Sequence, residues 1–191
     1  MQRYLPLVLF VILIVAFRWV GSAFSDTLPN FQPLTALFFC GVMMAKGLRS
    51  WAIPALAWLV TYPIPALISK DYSYLALDVL LTTAASFAVI YFIGKAMATR
   101  PLLHILAGAV VSAMVFHLIT NGAAWIGNPV YAKNFEGLVQ SLWTGPVGSP
   151  VPSWVFLRNM VGANLIFTAI FLSARFALPS FSPAPAAAPA R

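Results

Sequence analysis

Charged side chains are scarce in this 191-residue chain. Only 8% of the residues are Asp, Glu, Lys or Arg, whereas 61% are hydrophobic. A soluble domain carries about 25% charged residues, so this chain has too few to cover a surface that faces water. Acidic residues are the rarest class, with four Asp and Glu against eleven Lys and Arg. The composition therefore predicts an integral membrane protein that lies in the lipid bilayer.

Sequence signatures of catalysis, nucleotide binding and metal binding are also missing. There is no G-x-x-x-x-G-K-[ST] phosphate loop, so the chain does not power transport by its own ATP hydrolysis. His104 and His117 would lie roughly 20 Å apart along one helix, too far to share a metal ion, and Cys40 is the one cysteine. The basic residues are scattered singly, which argues against nucleic-acid binding. We therefore expect no enzymatic activity, no cofactor and no metal.

Six apolar segments predict an all-α bundle with six transmembrane helices, within a domain at residues 1–178. The second segment is short for a full span, and prolines in the third predict a kink near Tyr62. The first segment also fits a signal peptide, but the need for a first helix favours an uncleaved span. The predicted spans are 5–22, 32–48, 51–69, 75–97, 101–121 and 154–178.

Two further segments lie outside the predicted spans. A long connection at residues 122–153 follows the fifth span, and its length is typical of a functional or flexible loop. A short helix is expected inside it, at residues 135–143. The tail at residues 179–191 is rich in proline and alanine. It has almost nothing to bury, so we expect it to be disordered.

The positive charges fall on one side of the predicted bundle. With six spans, one side receives seven basic residues and no acidic residue. The other side receives all four acidic residues together with Lys70 and Lys133. By the positive-inside rule the first side is cytoplasmic, which predicts that both termini are cytoplasmic. The seven basic residues are Arg3, Lys46, Arg49, Lys95, Arg100, Arg175 and Arg191.

Several polar residues fall near the outer ends of the predicted helices. His117 and Asn121 share one face of the fifth helix, while Arg18 and Arg158 lie near the outer ends of the first and sixth helices. Ionisable groups inside a membrane are costly and tend to face a bundle interior or a watery cavity. Two arginines and a histidine outnumber the nearby carboxylate, Asp78, which suits an anionic or carboxylate-bearing ligand.

The same residues also have purely structural interpretations. Arg18 can extend its charged group to the lipid headgroups, and Arg158 can pair with Asp78 as a structural tie. His117 can join two helices through a neutral hydrogen bond, and Asn164, in mid-membrane, can link helices in the same way. The sequence leaves these alternatives open.

Two stretches resemble an uncharacterised bacterial family of small membrane proteins. One is Arg18 followed by P-N-F-Q-P at residues 29–33, and the other is the F-x-x-x-T-N-x-x-x-W stretch at residues 116–125. That family in turn resembles the substrate-binding S subunits of energy-coupling-factor (ECF) transporters. The resemblance implies a protein of the bacterial inner membrane with six helices and an outward-open site for a vitamin or similar micronutrient. It also implies a transmembrane coupling subunit and two ATPases as partners.

The resemblance makes Asn30, His117, Asn121 and Arg158 candidate ligand-binding positions, to which the charge argument adds Arg18. We therefore expect a binding component of an uptake transporter that captures a small solute from outside. The alternative is a non-transporting accessory subunit packed in a larger complex, which many small residues suited to helix packing favour. A membrane-embedded enzyme would need a pair of catalytic groups that the sequence does not contain.

Overall fold

Helices are the only regular elements in the part of the chain that the structure describes. The computed structural model gives the backbone of residues 5–177 and the side chains of residues 12–174. This confirms the all-α prediction, whereas the predicted tail at residues 179–191 lies outside the described residues. The elements are α1 (Leu5–Ala23), α2 (Leu34–Met44), α3 (Arg49–Thr61), α4 (Ile64–Ser69), a short 3-10 turn (Tyr72–Leu75), α5 (Leu77–Met97), α6 (Leu102–Gly127), α7 (Phe135–Trp143) and α8 (Ser153–Ala177).

Four helical segments are long and apolar enough to cross a membrane. One is the Arg49–Ser69 segment formed by α3 and α4 together. The other three are α5, α6 and the part of α8 at Ser153–Ala174. In the described part of the chain α1 and α2 contribute two shorter apolar helices, at Ile12–Ala23 and Leu34–Met44. The fold is thus that of a multi-pass helical membrane protein. The count of six spans and the orientation of the termini stay predictions.

The predicted kink near Tyr62 is confirmed. The α3 helix ends at Thr61, and α4 begins at Ile64 directly after Pro63. A proline has no N–H, so Pro65 cannot complete the helical hydrogen bond to the carbonyl four residues before it, that of Thr61. The kink therefore leaves the Thr61 carbonyl free to accept a hydrogen bond from another helix.

The short α2 helix lies inside the bundle. It is about 16 Å long, against roughly 30 Å of hydrocarbon in a bilayer, and all of its residues except Val42 and Met44 are buried. Glycines allow this close packing, since a Cβ on Gly94 of α5 would lie 2.0 Å from the Phe39 carbonyl oxygen of α2. The predicted second span at 32–48 is therefore a shorter, internal helix, which its neighbours cover instead of lipid.

The α6 helix continues beyond the predicted end of the fifth span at residue 121. It runs to Gly127 because no helix-breaking residue intervenes before Asn128, whose backbone is extended ahead of Pro129. Lys133 Nζ donates to the Trp125 carbonyl in the last turn of α6, which satisfies one of the free acceptors at this helix end. Asn121 consequently lies within a helix and not at its boundary.

The expected short helix at residues 135–143 is confirmed as α7. Asn134 caps its start, because the Asn134 Oδ1 accepts a hydrogen bond from the Gly137 N–H at 2.9 Å. The segment before α7 is fastened to α6, since Trp125 Nε1 donates to the Ala132 carbonyl at 2.8 Å. The long connection after α6 is therefore ordered and packed against the bundle.

A polar link joins α6 and α8 in the middle of the bundle. Asn164 is fully buried, and its Nδ2 donates to the Ala109 carbonyl at 3.0 Å. This confirms the helix-linking role expected for Asn164. Cys40 is also buried, where its thiol lies 3.8 Å from the Thr168 hydroxyl.

Candidate solute-binding cavity

Three connections between helices meet at one end of the bundle. They are residues 24–33 between α1 and α2, residues 70–76 between α4 and α5, and residues 128–152 between α6 and α8. Residues from all three line one cavity of about 430 Å³. This volume lies within the range of small-molecule sites, about 300–1,000 Å³. We name it the Arg18 cavity, after the charged residue in its wall.

Aromatic rings from three helices form an apolar wall of the Arg18 cavity. Trp58 of α3, Phe87 of α5 and Phe116 of α6 all line it. The ring centroids of Trp58 and Phe87 are 5.4 Å apart, as are those of Phe87 and Phe116. Phe38 of α2 stacks on Phe87 at 4.2 Å and so supports the cluster from the core. These packed rings offer an ordered surface to a planar or apolar solute.

The guanidinium of Arg18 makes two hydrogen bonds across the bundle. Its Nε donates to the Thr61 carbonyl at 3.4 Å, which is the carbonyl freed by the proline kink, and its Nη1 donates to Gln32 Oε1. The other N–H groups of Arg18 have no hydrogen-bond partner among the residues that the structure describes. Arg18 is thus fixed in position, while part of its donor capacity stays available.

Arg18 is the one charged side chain among the described residues that line the cavity. Burial raises the pKa of Tyr131 and of Tyr74, where the nearby Asp71 adds to the shift, so both phenols are neutral at pH 7. The cavity therefore carries a single positive charge. Its remaining hydroxyl and amide groups belong to Ser22, Ser25, Asn30, Gln32, Tyr62, Ser69, Thr83, Thr120, Asn121, Ser149 and Ser153.

Asn30 lines the cavity from the connection between α1 and α2. Its backbone is left-handed, with φ of 58°, a conformation that asparagine adopts more readily than most residues. The connection is held by Asn159 of α8, whose Nδ2 donates to the carbonyls of Thr27 at 3.3 Å and Pro29 at 3.2 Å. The position of Asn30 in the wall therefore depends on α8.

Arg158 lies outside the cavity lining and is exposed. Its Nε and Nη2 donate to Asn159 Oδ1 at 3.2 and 3.1 Å, and its guanidinium lies 5.3 Å from the centroid of the Trp154 ring. No ion pair joins Arg158 to Asp78 within the described residues, so the expected structural tie is not seen. Arg158 instead fixes the Asn159 amide, with its nitrogen turned toward the connection between α1 and α2.

His117 is buried behind the cavity wall, where it joins α6 to α7. Its Nε2 lies 2.8 Å from the Leu142 carbonyl, and its Nδ1 lies 3.1 Å from Asn121 Nδ2. A carbonyl only accepts, so Nε2 carries the proton, and Nδ1 accepts from the amide. The geometry therefore corresponds to a neutral imidazole that links two helices, which is one of the alternatives that the sequence left open.

Asn121 lies between His117 and the cavity. Its Nδ2 donates both to His117 Nδ1 and to the His117 carbonyl at 3.0 Å. These two acceptors fix the orientation of the amide, since the opposite orientation would bring two oxygens together. The Asn121 Oδ1 is left without a partner in the described part of the chain, and Asn121 lines the cavity.

The five candidate residues therefore fall into two groups. Arg18, Asn30 and Asn121 line one cavity, and His117 contacts Asn121 of its wall from behind. Arg158 contacts Asn159, which lies outside the lining and holds the connection that carries Asn30. Two lining residues, Gln32 and Trp58, were not among the candidates selected from the sequence. Gln32 lies within the P-N-F-Q-P stretch. A proline four residues after Thr61 was the signal for a free carbonyl opposite Arg18.

These features define a class, that of a multi-pass helical membrane protein with a solute-sized, singly charged cavity between its helices. The chain belongs to a family of unknown function, DUF6580, whose model matches residues 1–186. No curated protein and no solved structure matches the chain. The match fits the expected uncharacterised membrane family, while the likeness to ECF S subunits has no support from these comparisons and stays a prediction.

Proposed function

We propose that this protein captures a small solute in the Arg18 cavity and contributes to its uptake, as an S-subunit-like component of a transporter. The observation that carries this proposal is the cavity itself. It combines the volume of a small-molecule site with a packed aromatic wall and one half-buried, partly unmatched cation. Ligand sites typically combine apolar and aromatic walls with polar groups held at fixed positions, and this cavity has both.

The solute enters from the outer side of the membrane in this proposal. The cavity lies at the end of the bundle formed by residues 24–33, 70–76 and 128–152, which is the side opposite the basic connections. The positive-inside rule makes that side external in a bacterial inner membrane. The long connection at 128–152 then covers the site, and the bundle reorients to release the solute inside.

Energy for uptake comes from partner subunits in this proposal. The sequence has no phosphate-binding loop, so ATP hydrolysis requires a separate ATPase pair, and a transmembrane coupling subunit would connect that pair to this chain. Copurification from the native membrane tests this part. An associated ATPase pair is the expected result, whereas a large stoichiometric partner without ATPases would favour the accessory-subunit alternative.

The small residues that suggested the accessory role pack mostly inside the bundle. Gly41, Gly108, Ala109 and Ala163 are all buried against neighbouring helices. A Cβ placed on Gly162 would meet no neighbouring atom of the described residues within 4 Å. Internal packing thus accounts for most of the small residues, and solute capture is the function that the geometry supports better.

Solute binding is tested by a thermal-shift screen of the purified protein in lipid nanodiscs against vitamins and small organic acids. Thr83 of α5 lines the cavity, so Thr83→Trp fills part of it and is expected to abolish the shift. Leu81→Trp is the matched control, because Leu81 lies on the same helix and is exposed. If no solute stabilises the wild type, or if Thr83→Trp responds like Leu81→Trp, solute capture in this cavity is wrong.

A further inference from the structure

We propose that the solute is an organic monoanion with an aromatic or similarly planar body and a hydrogen-bond donor remote from its anionic group. This inference rests on the proposed function and names the chemical class of the solute. A hydroxyl-substituted aromatic monocarboxylate is the simplest member of that class. Three independent features of the Arg18 cavity lead to it.

The first feature is the charge of the cavity. Arg18 is the one charged group among the described lining residues, and both of its known hydrogen bonds go to neutral acceptors, Thr61 O and Gln32 Oε1. Arg18 is half-buried, and a cation that is partly removed from water without an anionic partner is destabilised. One carboxylate on the solute supplies that partner through charge-assisted hydrogen bonds to the unused N–H groups of Arg18. A second anionic group would find no cation, so a dianion is disfavoured.

The second feature is a fixed acceptor in another part of the lining. Both N–H groups of the Asn121 amide are used by His117, which leaves Asn121 Oδ1 as an unpaired acceptor. Because His117 is itself anchored on the Leu142 carbonyl, the amide cannot turn to present its nitrogen without losing these bonds. An acceptor with a fixed orientation selects a solute that carries a hydroxyl or N–H donor.

The third feature is the shape of the wall. The Phe87 ring contacts the rings of both Trp58 and Phe116, and Phe38 stacks on Phe87 from the core side. Rings that are packed in this way present a rigid apolar surface, against which a planar body gains both buried area and aromatic contact. Flexible aliphatic solutes gain less, because they lose more conformational freedom on binding.

Four small probes separate these features on the wild-type protein in phosphatidylcholine nanodiscs. They are 4-hydroxybenzoate, its neutral amide 4-hydroxybenzamide, benzoate without the hydroxyl, and the dianion 5-hydroxyisophthalate. We expect 4-hydroxybenzoate to bind most tightly. The amide is expected to bind about 10- to 100-fold more weakly, benzoate about 10-fold more weakly and the dianion at least as weakly as the amide.

Arg18→Gln tests the charge argument through selectivity, and not through affinity alone. This variant should bind the acid and the amide about equally, because the group that distinguishes them is gone. Arg18→Lys should restore part of the preference for the acid, and Arg100→Gln, an exposed arginine outside the cavity, should leave the preference unchanged. A merely structural role of Arg18 would weaken both probes by the same factor. Melting curves without probe identify variants that fail to fold.

The outcomes distinguish this inference from the proposed function. Tighter binding of the amide or the dianion than of 4-hydroxybenzoate by the wild type overturns the inference. The inference is also wrong if none of the four probes binds but neutral or cationic solutes of the thermal-shift screen do. In that case the proposed function, solute capture, still stands. If neither the probes nor any solute of the screen binds, the proposed function and the inference are both wrong.

Discussion

Replacement of His117 by leucine separates a structural role from a direct role in solute binding. His117 is 3% exposed, and its Nε2 donates to the Leu142 carbonyl at the end of α7. Leucine fills similar space but leaves that carbonyl without its donor, which costs about 1–3 kcal/mol. For a chain of this size each kcal/mol lowers the melting temperature by about 2–4 °C. A loss near 2 kcal/mol therefore corresponds to roughly 4–8 °C.

The decisive comparison is with His117→Gln, because a glutamine amide nitrogen reaches about as far as the histidine Nε2 and retains the donor. We expect this variant to recover most of the melting temperature and most of the solute binding. Hydrogen exchange followed by mass spectrometry should be faster across residues 135–143 in His117→Leu alone. Wild-type melting and exchange in His117→Leu would refute the link between α6 and α7. Loss of solute binding in a stable His117→Gln would make His117 a direct ligand contact.

Further predictions concern packing and orientation. Gly94→Ala should lower the unfolding free energy by about 1–3 kcal/mol, because its Cβ would lie 2.0 Å from a carbonyl oxygen of α2. Gly162→Ala is the control and should be near neutral, because open space surrounds that Cβ. If the two variants have the same melting temperature, the internal position of α2 is contradicted. In intact cells a membrane-impermeant thiol reagent should label Glu136→Cys, whereas Lys46→Cys should react only after permeabilisation. The native Cys40 is buried and should stay silent, and the opposite labelling pattern would invert the proposed topology.

Local sequence signals predicted the helices well. The kink at Tyr62 and the short helix at Phe135–Trp143 follow from proline chemistry and from flanking turn residues, which act within a few positions of the chain. The end of α6 was less predictable. Polarity at Asn121 indicated a boundary, but Gly122 and the alanines after it are compatible with a helix, which continues to the residue before Asn128.

The candidate site could be predicted only in part, because hydropathy gives the depth of a residue along a helix but not the direction in which its side chain points. Arg18 and Arg158 have similar predicted depths, yet one lines the cavity and the other is exposed beside Trp154. The partners of Arg18 depend on long-range contacts, since Thr61 is 43 residues away in sequence. A pattern within one segment does not contain that information.

The most direct test of the central claim is to identify what the protein carries when it is purified from its own host. Mass spectrometry of the extracted small molecules should find one organic anion in near-stoichiometric amount with the wild type and with Leu81→Trp. Thr83→Trp, with its cavity partly filled, should lack it. Equal amounts of every extracted small molecule in the wild type and in a folded Thr83→Trp variant would contradict a solute site in the Arg18 cavity.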